Sequence, residues 1–532
     1  MVVRTIVGML VGLFAMATVN SAKAADLSSG SIAELQAAMT SGAETSQSIT
    51  KVYLARIRAL DRQGPRLNSI IALNPHALAD ARALDAERKA GKVRGPLHGV
   101  PILLKDNIDS ADDTATTAGS LALAGNVTNR DAPLVRRLTD AGAVILGKTN
   151  LSEWANYRSS RSISGWSALG GLVRNPYGLD RSSCGSSAGT GAAIAAGFAG
   201  GGIGTETDGS IVCPAAINGL VGLKPTVGLV SRSHIVPISV SQDTAGPMTR
   251  NVADAAAMLT AIAGTDPDDP ATVEADAHAV DYLKSLDPNA LKGARLGILR
   301  ITAGRSPQAD EVFEQSLATL KAAGAVLVNV KVPDLEAVGA AEQIILRTEF
   351  KAGINAYLAS TNPAQVPTRT LADLIAFNAA EPRELALFGQ ETFLASQAGG
   401  GLDDPAYLKA KSDGKRLAGP EGIDRLLSEN NLTALIAWSG PSGIVDPVNG
   451  TRIFGPPSTL SAVSGYPHLT VPMGYVSGLP VGLSFMGPAW SEAKLLSLGY
   501  AFEQIAKIRV NPTFPATVAE RPEIARAYDL LK

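Results

Sequence analysis

The sequence predicts an α/β fold, because short apolar runs typical of buried strands alternate with amphipathic helical segments along most of its length. The apolar runs 100–104 and 143–146 flank a helical pattern over 132–141. The alternation returns in the second half of the chain, over residues 296–299, 310–323, 326–332, 434–437, 469–471, 481–485 and 492–505. Of the 532 residues, 45% are hydrophobic and 18% are charged, which is typical of a chain that folds around a core.

The part of the chain that precedes the first strand-like run is predicted to be helical. Ser31 and Glu34 have the spacing of a capping box and open a helix over 32–39. Helical spacing also marks residues 45–60 and 75–89. Further along, a helical lobe is expected as an insertion around 340–430.

The N-terminus has the pattern of a secretory signal peptide. Arg4 precedes an apolar stretch over 6–19, and a small-residue cleavage pattern ends at Ala24. The apolar stretch is about 14 residues long, whereas a spanning helix needs about 20. We therefore predict a signal peptide over 1–24, one domain over 25–532, and a periplasmic or secreted protein that leaves the membrane after cleavage.

The charge of the chain narrows the classes of molecule that it is expected to bind. The chain has 47 basic and 49 acidic residues, so its formal net charge of −2 offers no general attraction for nucleic acid or anionic lipid.

Its two cysteines, Cys184 and Cys213, could pair in an oxidising compartment or lie as two small buried thiols. The sequence leaves both possibilities open.

A segment rich in glycine and serine, residues 163–226, has the composition of a binding or catalytic site. Turns are expected at 184–189, 200–202 and 204–210, where glycine lets backbone N–H groups approach a ligand. A small-residue helix over 188–199 would point its N-terminus at that ligand.

Phosphate and metal chemistry are disfavoured. Residues 142–149 match the pattern of a phosphate-binding loop, but the interior of this match has the composition of a buried strand. Lys148 is therefore interpreted as structural or site-lining. The five histidines are too dispersed for a recognisable metal site, and no metal or cofactor is predicted.

Two serine chemistries remain. Residues 185–189 read as G-x-S-x-G, which would make Ser187 the nucleophile of an α/β-hydrolase if a downstream histidine such as His468 joined it. A serine can instead be activated by a neutral lysine, and Lys105 directly follows a buried strand pattern. Pairing of Lys105 with Asp106 is an equally weighted structural interpretation.

The motifs of the glycine-rich segment resemble the amidase signature family. The residues that carry the resemblance are 99–107, 147–150, 185–187, 204–211, 214, 219–226 and 478–483. The resemblance spans most of the mature chain. It implies a large, mixed and twisted β-sheet covered by helices.

The resemblance also implies a catalytic set without histidine. Ser210 is expected to attack the amide carbonyl, Ser186 to relay its proton, and neutral Lys105 to act as the terminal base. The peptide bond between Gly185 and Ser186 is expected to be cis, and Ser187 becomes a supporting residue. The backbone N–H groups expected to form the oxyanion hole with Ser210 are those of Thr207, Asp208 and Gly209.

Within that family, the chain is similar to the bacterial peptide amidase subgroup in residues 151–156, 162–167, 213–218 and 241–248, whereas residues 437–457 differ from it. The subgroup converts C-terminal carboxamides of peptides into free acids and ammonia. We therefore expect a monomeric hydrolase that acts on small amides or peptide amides through an acyl-enzyme. An aryl-acylamidase or a broad-specificity amidase is the alternative, and membership of an amidotransferase complex is disfavoured by the export signal.

Overall fold

Strands run through most of the chain, and eleven of those described form one sheet. The computed structural model describes residues 27–301, 304–440, 443 and 457–520, so the predicted signal peptide lies outside the described residues. The strands are β1 (Ile70–Leu73), β2 (Pro101–Lys105), β3 (Val144–Thr149), β4 (Trp166–Ser167), β5 (Gly171–Leu172), β6 (Arg174–Asn175), β7 (Gly178–Ser182), β8 (Gly201–Glu206), β9 (Val221–Lys224), β10 (Thr244–Thr249), β11 (Arg295–Ile298), β12 (Val326–Asn329), β13 (Ala434–Ser439), β14 (His468–Val476) and β15 (Leu479–Met486).

The large sheet is mixed, as the family resemblance implied. Its strand order is β1-β3-β2-β8-β10-β9-β14-β15-β13-β11-β12. The neighbours β3, β2 and β8 are parallel, as are β13, β11 and β12, and the strands between these two groups pair antiparallel. Because β2 and β8 are parallel neighbours, the residues that end them lie at the same edge of the sheet.

Helices cover the sheet. They are α1 (Ile32–Ser41), α2 (Ser46–Ile57), α3 (Ala77–Lys89), α4 (Pro133–Asp140), α5 (Ala188–Ala195), α6 (Val212–Ile217), α7 (Val252–Ile262), α8 (Ala275–His278), α9 (Pro307–Ala322), α10 (Leu335–Ser360), α11 (Leu371–Ala380), α12 (Glu391–Ala398), α13 (Pro405–Ala418), α14 (Arg425–Glu429), α15 (Thr459–Ser464) and α16 (Glu492–Ala506). No helix in the described ranges is both long enough and apolar enough to cross a bilayer.

Two glycines let helices approach both faces of β8. A Cβ added at Gly201 would lie 2.4 Å from Met258 Sδ on α7, and one added at Gly202 would lie 2.6 Å from Thr190 Cγ2 on α5. Successive side chains of a strand point to opposite faces, so α5 and α7 lie on opposite sides of the sheet. The sheet is thus the middle of three layers.

Several local predictions are confirmed. Ser31 and Glu34 form the capping box of α1, and helices α10 to α14 form the expected lobe. Residues 144–149 of the phosphate-loop match are strand β3, which agrees with rejecting that motif. The helix predicted over 188–199 ends earlier, at Ala195, because Gly197 takes a left-handed φ of 73°.

Candidate active site

The candidate site contains a direct contact between Lys105 and Ser186. Lys105 is the last residue of β2 and is completely buried. Its Nζ lies 2.7 Å from Ser186 Oγ, 2.8 Å from Thr205 Oγ1 and 3.2 Å from the Thr205 carbonyl oxygen. The alternative pairing with Asp106 is wrong, because that carboxylate accepts hydrogen bonds from Thr117 instead.

The surroundings of Lys105 favour its neutral form. Burial lowers the pKa of Lys105 to about 7, against the opposing effect of the negative charges of Asp243 and Glu206. A neutral amine has two N–H groups and one lone pair. The two oxygens of Thr205 can accept both N–H groups, which leaves the lone pair free to accept the proton of Ser186.

Ser186 and Ser187 lie where the chain enters α5. The peptide bond between Gly185 and Ser186 is cis, as the resemblance implied. The Ser187 hydroxyl donates to the Thr205 carbonyl oxygen (3.1 Å) and accepts from the Thr205 N–H (3.3 Å). These bonds fit the supporting role predicted for Ser187 and tie the start of α5 to the end of β8.

His468, named as a partner for Ser187 in the α/β-hydrolase alternative, is fully buried on β14. Neither of its ring nitrogens has a hydrogen-bond partner among the described residues. Burial lowers the pKa of His468 to about 3, so the ring stays neutral. No group of three His, Cys, Asp or Glu side chains in the described ranges is arranged to hold a metal ion.

Ser210 ends a tight loop between β8 and α6. The buried Glu206 carboxylate accepts hydrogen bonds from the N–H groups of Ile211 (2.7 Å) and Val212 (2.9 Å), which fixes the loop to the end of β8. The Ser187 N–H donates to the Ser210 carbonyl oxygen (3.2 Å), so the two serine-bearing segments are joined directly. Ser210 is 7% exposed.

Side chains also hold the loop residues predicted as the oxyanion hole. The hydroxyl of Thr207 donates to the Asp243 carboxylate (2.6 Å). The half-buried Asp208 carboxylate accepts hydrogen bonds from the hydroxyls of Ser458 and Thr459 (2.8 Å for Thr459) at the start of α15. The backbone of Thr207 and Asp208 is therefore restrained by side-chain hydrogen bonds to Asp243 and to the start of α15.

A disulfide bond settles the question that the sequence left open. Cys184 and Cys213 are bonded (S–S 1.99 Å). Cys184 lies two residues before Ser186, and Cys213 lies three residues after Ser210. The bond thus adds a covalent link between the two serine-bearing segments.

Sequence reasoning assigned no role to three polar residues around Lys105. Thr205 contacts Lys105 directly, Asn107 donates to Thr205 Oγ1 (3.0 Å), and Glu206 anchors the loop. Two of them could have been found from the sequence, because Thr205 and Glu206 are polar residues at the end of a strand whose residues are all buried. A buried polar side chain usually needs a hydrogen-bond partner, which points to a site.

A cavity of about 590 Å³ lies beside the partners of Lys105. Asn107, Thr205 and Thr207 are among its lining residues. The wall also contains an apolar segment, Ile235, Val236, Pro237 and Ile238, and charged side chains such as those of Arg232 and Asp243.

Comparison with known proteins agrees with this fold and geometry. The profile of the family described as Amidase matches residues 48–418. The chain therefore belongs to the amidase signature family, whose members hydrolyse C–N amide bonds.

Individual relatives extend over nearly the whole chain. The structure of native peptide amidase from Stenotrophomonas maltophilia is 54% identical and covers 92% of this chain and 99% of its own, with a TM-score of 0.88. A probable amidase of Arabidopsis thaliana is 40% identical over 500 residues, or 91% of each chain. A putative amidase of Schizosaccharomyces pombe is 36% identical over 527 residues, which cover 93% of this chain and 88% of its own.

Proposed function

We propose that the protein is a peptide amidase, which hydrolyses C-terminal carboxamides of peptides to the free acid and ammonia. The observation that carries this proposal is the 2.7 Å contact between a buried Lys105 and Ser186, in a chain 54% identical to a peptide amidase. Lys105, Ser186 and Ser210 are the proposed catalytic residues. Ser187 supports them by bonding to Thr205.

The proposed reaction begins with proton transfer. Neutral Lys105 accepts the Ser186 proton, Ser186 accepts the Ser210 proton, and Ser210 Oγ attacks the amide carbonyl carbon. The proton then returns through Ser186 to the leaving nitrogen, so ammonia departs with the electron pair of the broken C–N bond. Water repeats the sequence on the resulting ester and releases the carboxylic acid.

The oxyanion of the tetrahedral intermediate requires preorganised donors. In this proposal the donors are the backbone N–H groups of Thr207, Asp208 and Gly209, together with that of Ser210. The hydrogen bonds of Thr207 to Asp243 and of Asp208 to Thr459 hold that backbone in place before the substrate binds.

An aryl-acylamidase is the second candidate, and the cavity beside Lys105 is the observation that favours it. The leaving nitrogen receives its proton from Ser186 and therefore lies on the side of Ser186 and Lys105. The cavity reaches Thr205 and Asn107, and the apolar segment 235–238 in its wall offers a surface for an aromatic amine on that side.

The deciding experiment measures ammonia release from a peptide amide and aniline release from an acetanilide, with Ser210→Ala as the control. Preferential ammonia release that disappears in Ser210→Ala supports the peptide amidase. Preferential aniline release moves the function to an aryl-acylamidase with the same mechanism. Turnover that survives in Ser210→Ala contradicts the assigned nucleophile.

We also propose that the enzyme is exported to the periplasm or secreted. The signal-peptide pattern over 1–24 and the Cys184–Cys213 disulfide support export, since disulfides persist in oxidising compartments. N-terminal sequencing of the protein from its native host should begin at Ala25. An intact Met1 would contradict the assignment.

A further inference from the structure

Glu342 connects the helical lobe to the loop that bears Ser210. It lies on α10 and is 6% exposed, although it is a carboxylic acid far from either end of its helix. Its Oε1 accepts a hydrogen bond from Gln242 Nε2 (2.8 Å), and the same amide nitrogen lies 3.4 Å from the Thr207 carbonyl oxygen. Glu342 therefore belongs to the hydrogen-bond network of the oxyanion loop.

The Glu342 carboxyl also faces the carboxyl of Asp208, within reach of a hydrogen bond. Two carboxyl groups can form such a bond only if one of them carries a proton. Asp208 already accepts hydrogen bonds from the hydroxyls of Ser458 and Thr459, which stabilise its ionised form. Burial raises the pKa of Asp208 and these hydroxyls oppose that rise, so the shared proton is better placed on Glu342, which then donates to Asp208.

The groups around this pair agree with that placement. Burial, with the adjacent charge of Asp208, raises the pKa of Glu342 to about 8. Tyr157 also faces Glu342, and the burial that dominates its environment raises the pKa of that phenol, so it stays neutral. Lys224 is the cation that faces Asp208. At neutral pH the pair thus holds a single negative charge.

We propose that Glu342 is a positioning residue of the amidase reaction, which holds the oxyanion loop by donating a proton to Asp208 and keeps a second negative charge away from the oxyanion. If Glu342 ionised, two carboxylates would face each other beside the N–H groups that bind the intermediate. The hydrogen bond between them would be lost, and their repulsion would act on the loop. This inference deepens the proposed function, since it concerns the same loop.

The kinetic test compares pH profiles of kcat/KM for the parent enzyme and for Glu342→Gln. The glutamine amide can donate to Asp208 while its oxygen accepts from Gln242, but it does not ionise. For the parent we expect a rise through pH 7 and a roughly tenfold fall through pH 8. Glu342→Gln should keep the rise and lose the fall, whereas Glu342→Ala should lower kcat/KM about tenfold at pH 7.

Glu349→Gln is the matched control, because Glu349 is a second buried acid on α10. Its carboxylate accepts hydrogen bonds from Ser239, Ser241 and Tyr407, and these bonds lower its pKa. Its replacement should leave the alkaline fall in place. An alkaline fall that persists in Glu342→Gln would belong to another group, such as Lys224, and would overturn the proposal.

Two further measurements keep the proposal testable if Glu342→Gln does not fold. Asp208→Asn removes the neighbouring charge, so an ionised Glu342 would face no second carboxylate and the alkaline fall should shrink. Infrared spectroscopy should detect a protonated carboxyl at pH 6.5 that disappears through pH 8. Glu503→Gln and Asp106→Asn separate the signals of two other buried acids, whose pKa values are raised to about 8 and about 7. The infrared test does not depend on turnover, so it can fail or succeed separately from the proposed function. An undiminished alkaline fall in Asp208→Asn, or no such carboxyl band beyond those of Glu503 and Asp106, overturns the proposal.

Discussion

Thr205 Oγ1 lies 2.8 Å from Lys105 Nζ, at the ends of two parallel neighbouring strands. The contact is made by residues that the sheet itself brings together, and it gives the amine an acceptor inside a fully buried site. Thr205 therefore influences the pKa and the orientation of the Lys105 amine, on which the proposed mechanism depends.

Thr205→Val removes this acceptor at nearly constant volume. An acceptor stabilises the ammonium more than the neutral amine, so its loss should lower the Lys105 pKa further. The acid limb of the profile, which is the rise of kcat/KM as Lys105 loses its proton, should then shift to lower pH. We also expect kcat/KM to fall about tenfold, because the amine is less well oriented. Thr190→Val is the control, since Thr190 is also buried but bonds to Thr149. An unchanged acid limb in Thr205→Val would contradict this role.

The pH dependence of the enzyme should report the charge of Lys105. Burial lowers the pKa of Lys105 to about 7, and only the neutral amine can accept a proton. Below that pH, kcat/KM should fall about tenfold per pH unit. Lys105→Ala should lower it by roughly 10³-fold and remove the acid limb.

Lys148→Met tests whether any buried lysine at this edge of the sheet has the same effect. Lys148 Nζ donates to the Ile108 carbonyl oxygen (2.6 Å) and to Thr116 (3.0 Å), away from Ser186. The acid limb should survive in this variant. Its loss would show that the limb does not belong to Lys105.

The disulfide should contribute to stability. It closes a loop between cysteines 29 positions apart, which corresponds to about 3–4 kcal/mol from restriction of the unfolded chain. Chemical unfolding of the Cys184→Ala/Cys213→Ala double variant should give a free energy of unfolding lower by that amount. A difference below about 1 kcal/mol would mean that the bond adds little to the packing around it.

Two glycine substitutions in helices should have opposite effects. A Cβ at Gly189 in α5 would lie 2.2 Å from the Asn150 carbonyl oxygen and 2.4 Å from that of Ser69, and neither backbone atom can move cheaply. Gly189→Ala should destabilise the protein by roughly 3 kcal/mol or more. Gly339→Ala in α10 meets no atom within 4 Å and should stabilise by about 0.5–1 kcal/mol through helix propensity. Thermal unfolding of both variants measures the contrast.

Much of the site could be predicted because its chemistry lies in local motifs. Lys105, Ser186 and Ser187 each lie in a short run of recognisable sequence, and the structure brings Lys105 and Ser186 into contact. The pairing of Cys184 with Cys213 could not be decided, since it depends on a distance that only the fold determines.

The contribution of Glu342 could not be predicted at all. The helical lobe was predicted from its periodicity, but a single acid on an amphipathic helix is usually exposed. Its contact with Asp208 joins residues more than 130 positions apart and arises only when the lobe packs onto the loop.

The position of the lobe in the chain has a consequence for redesign. Lys105 and Thr205 belong to the sheet, whereas helices α10 to α14 are inserted between strands β12 and β13. The insertion could be exchanged for that of a relative in order to change which amides enter, while the proton-transfer residues stay untouched. Such a chimera would keep its alkaline activity profile only if the new lobe again presents a proton donor at the position of Glu342.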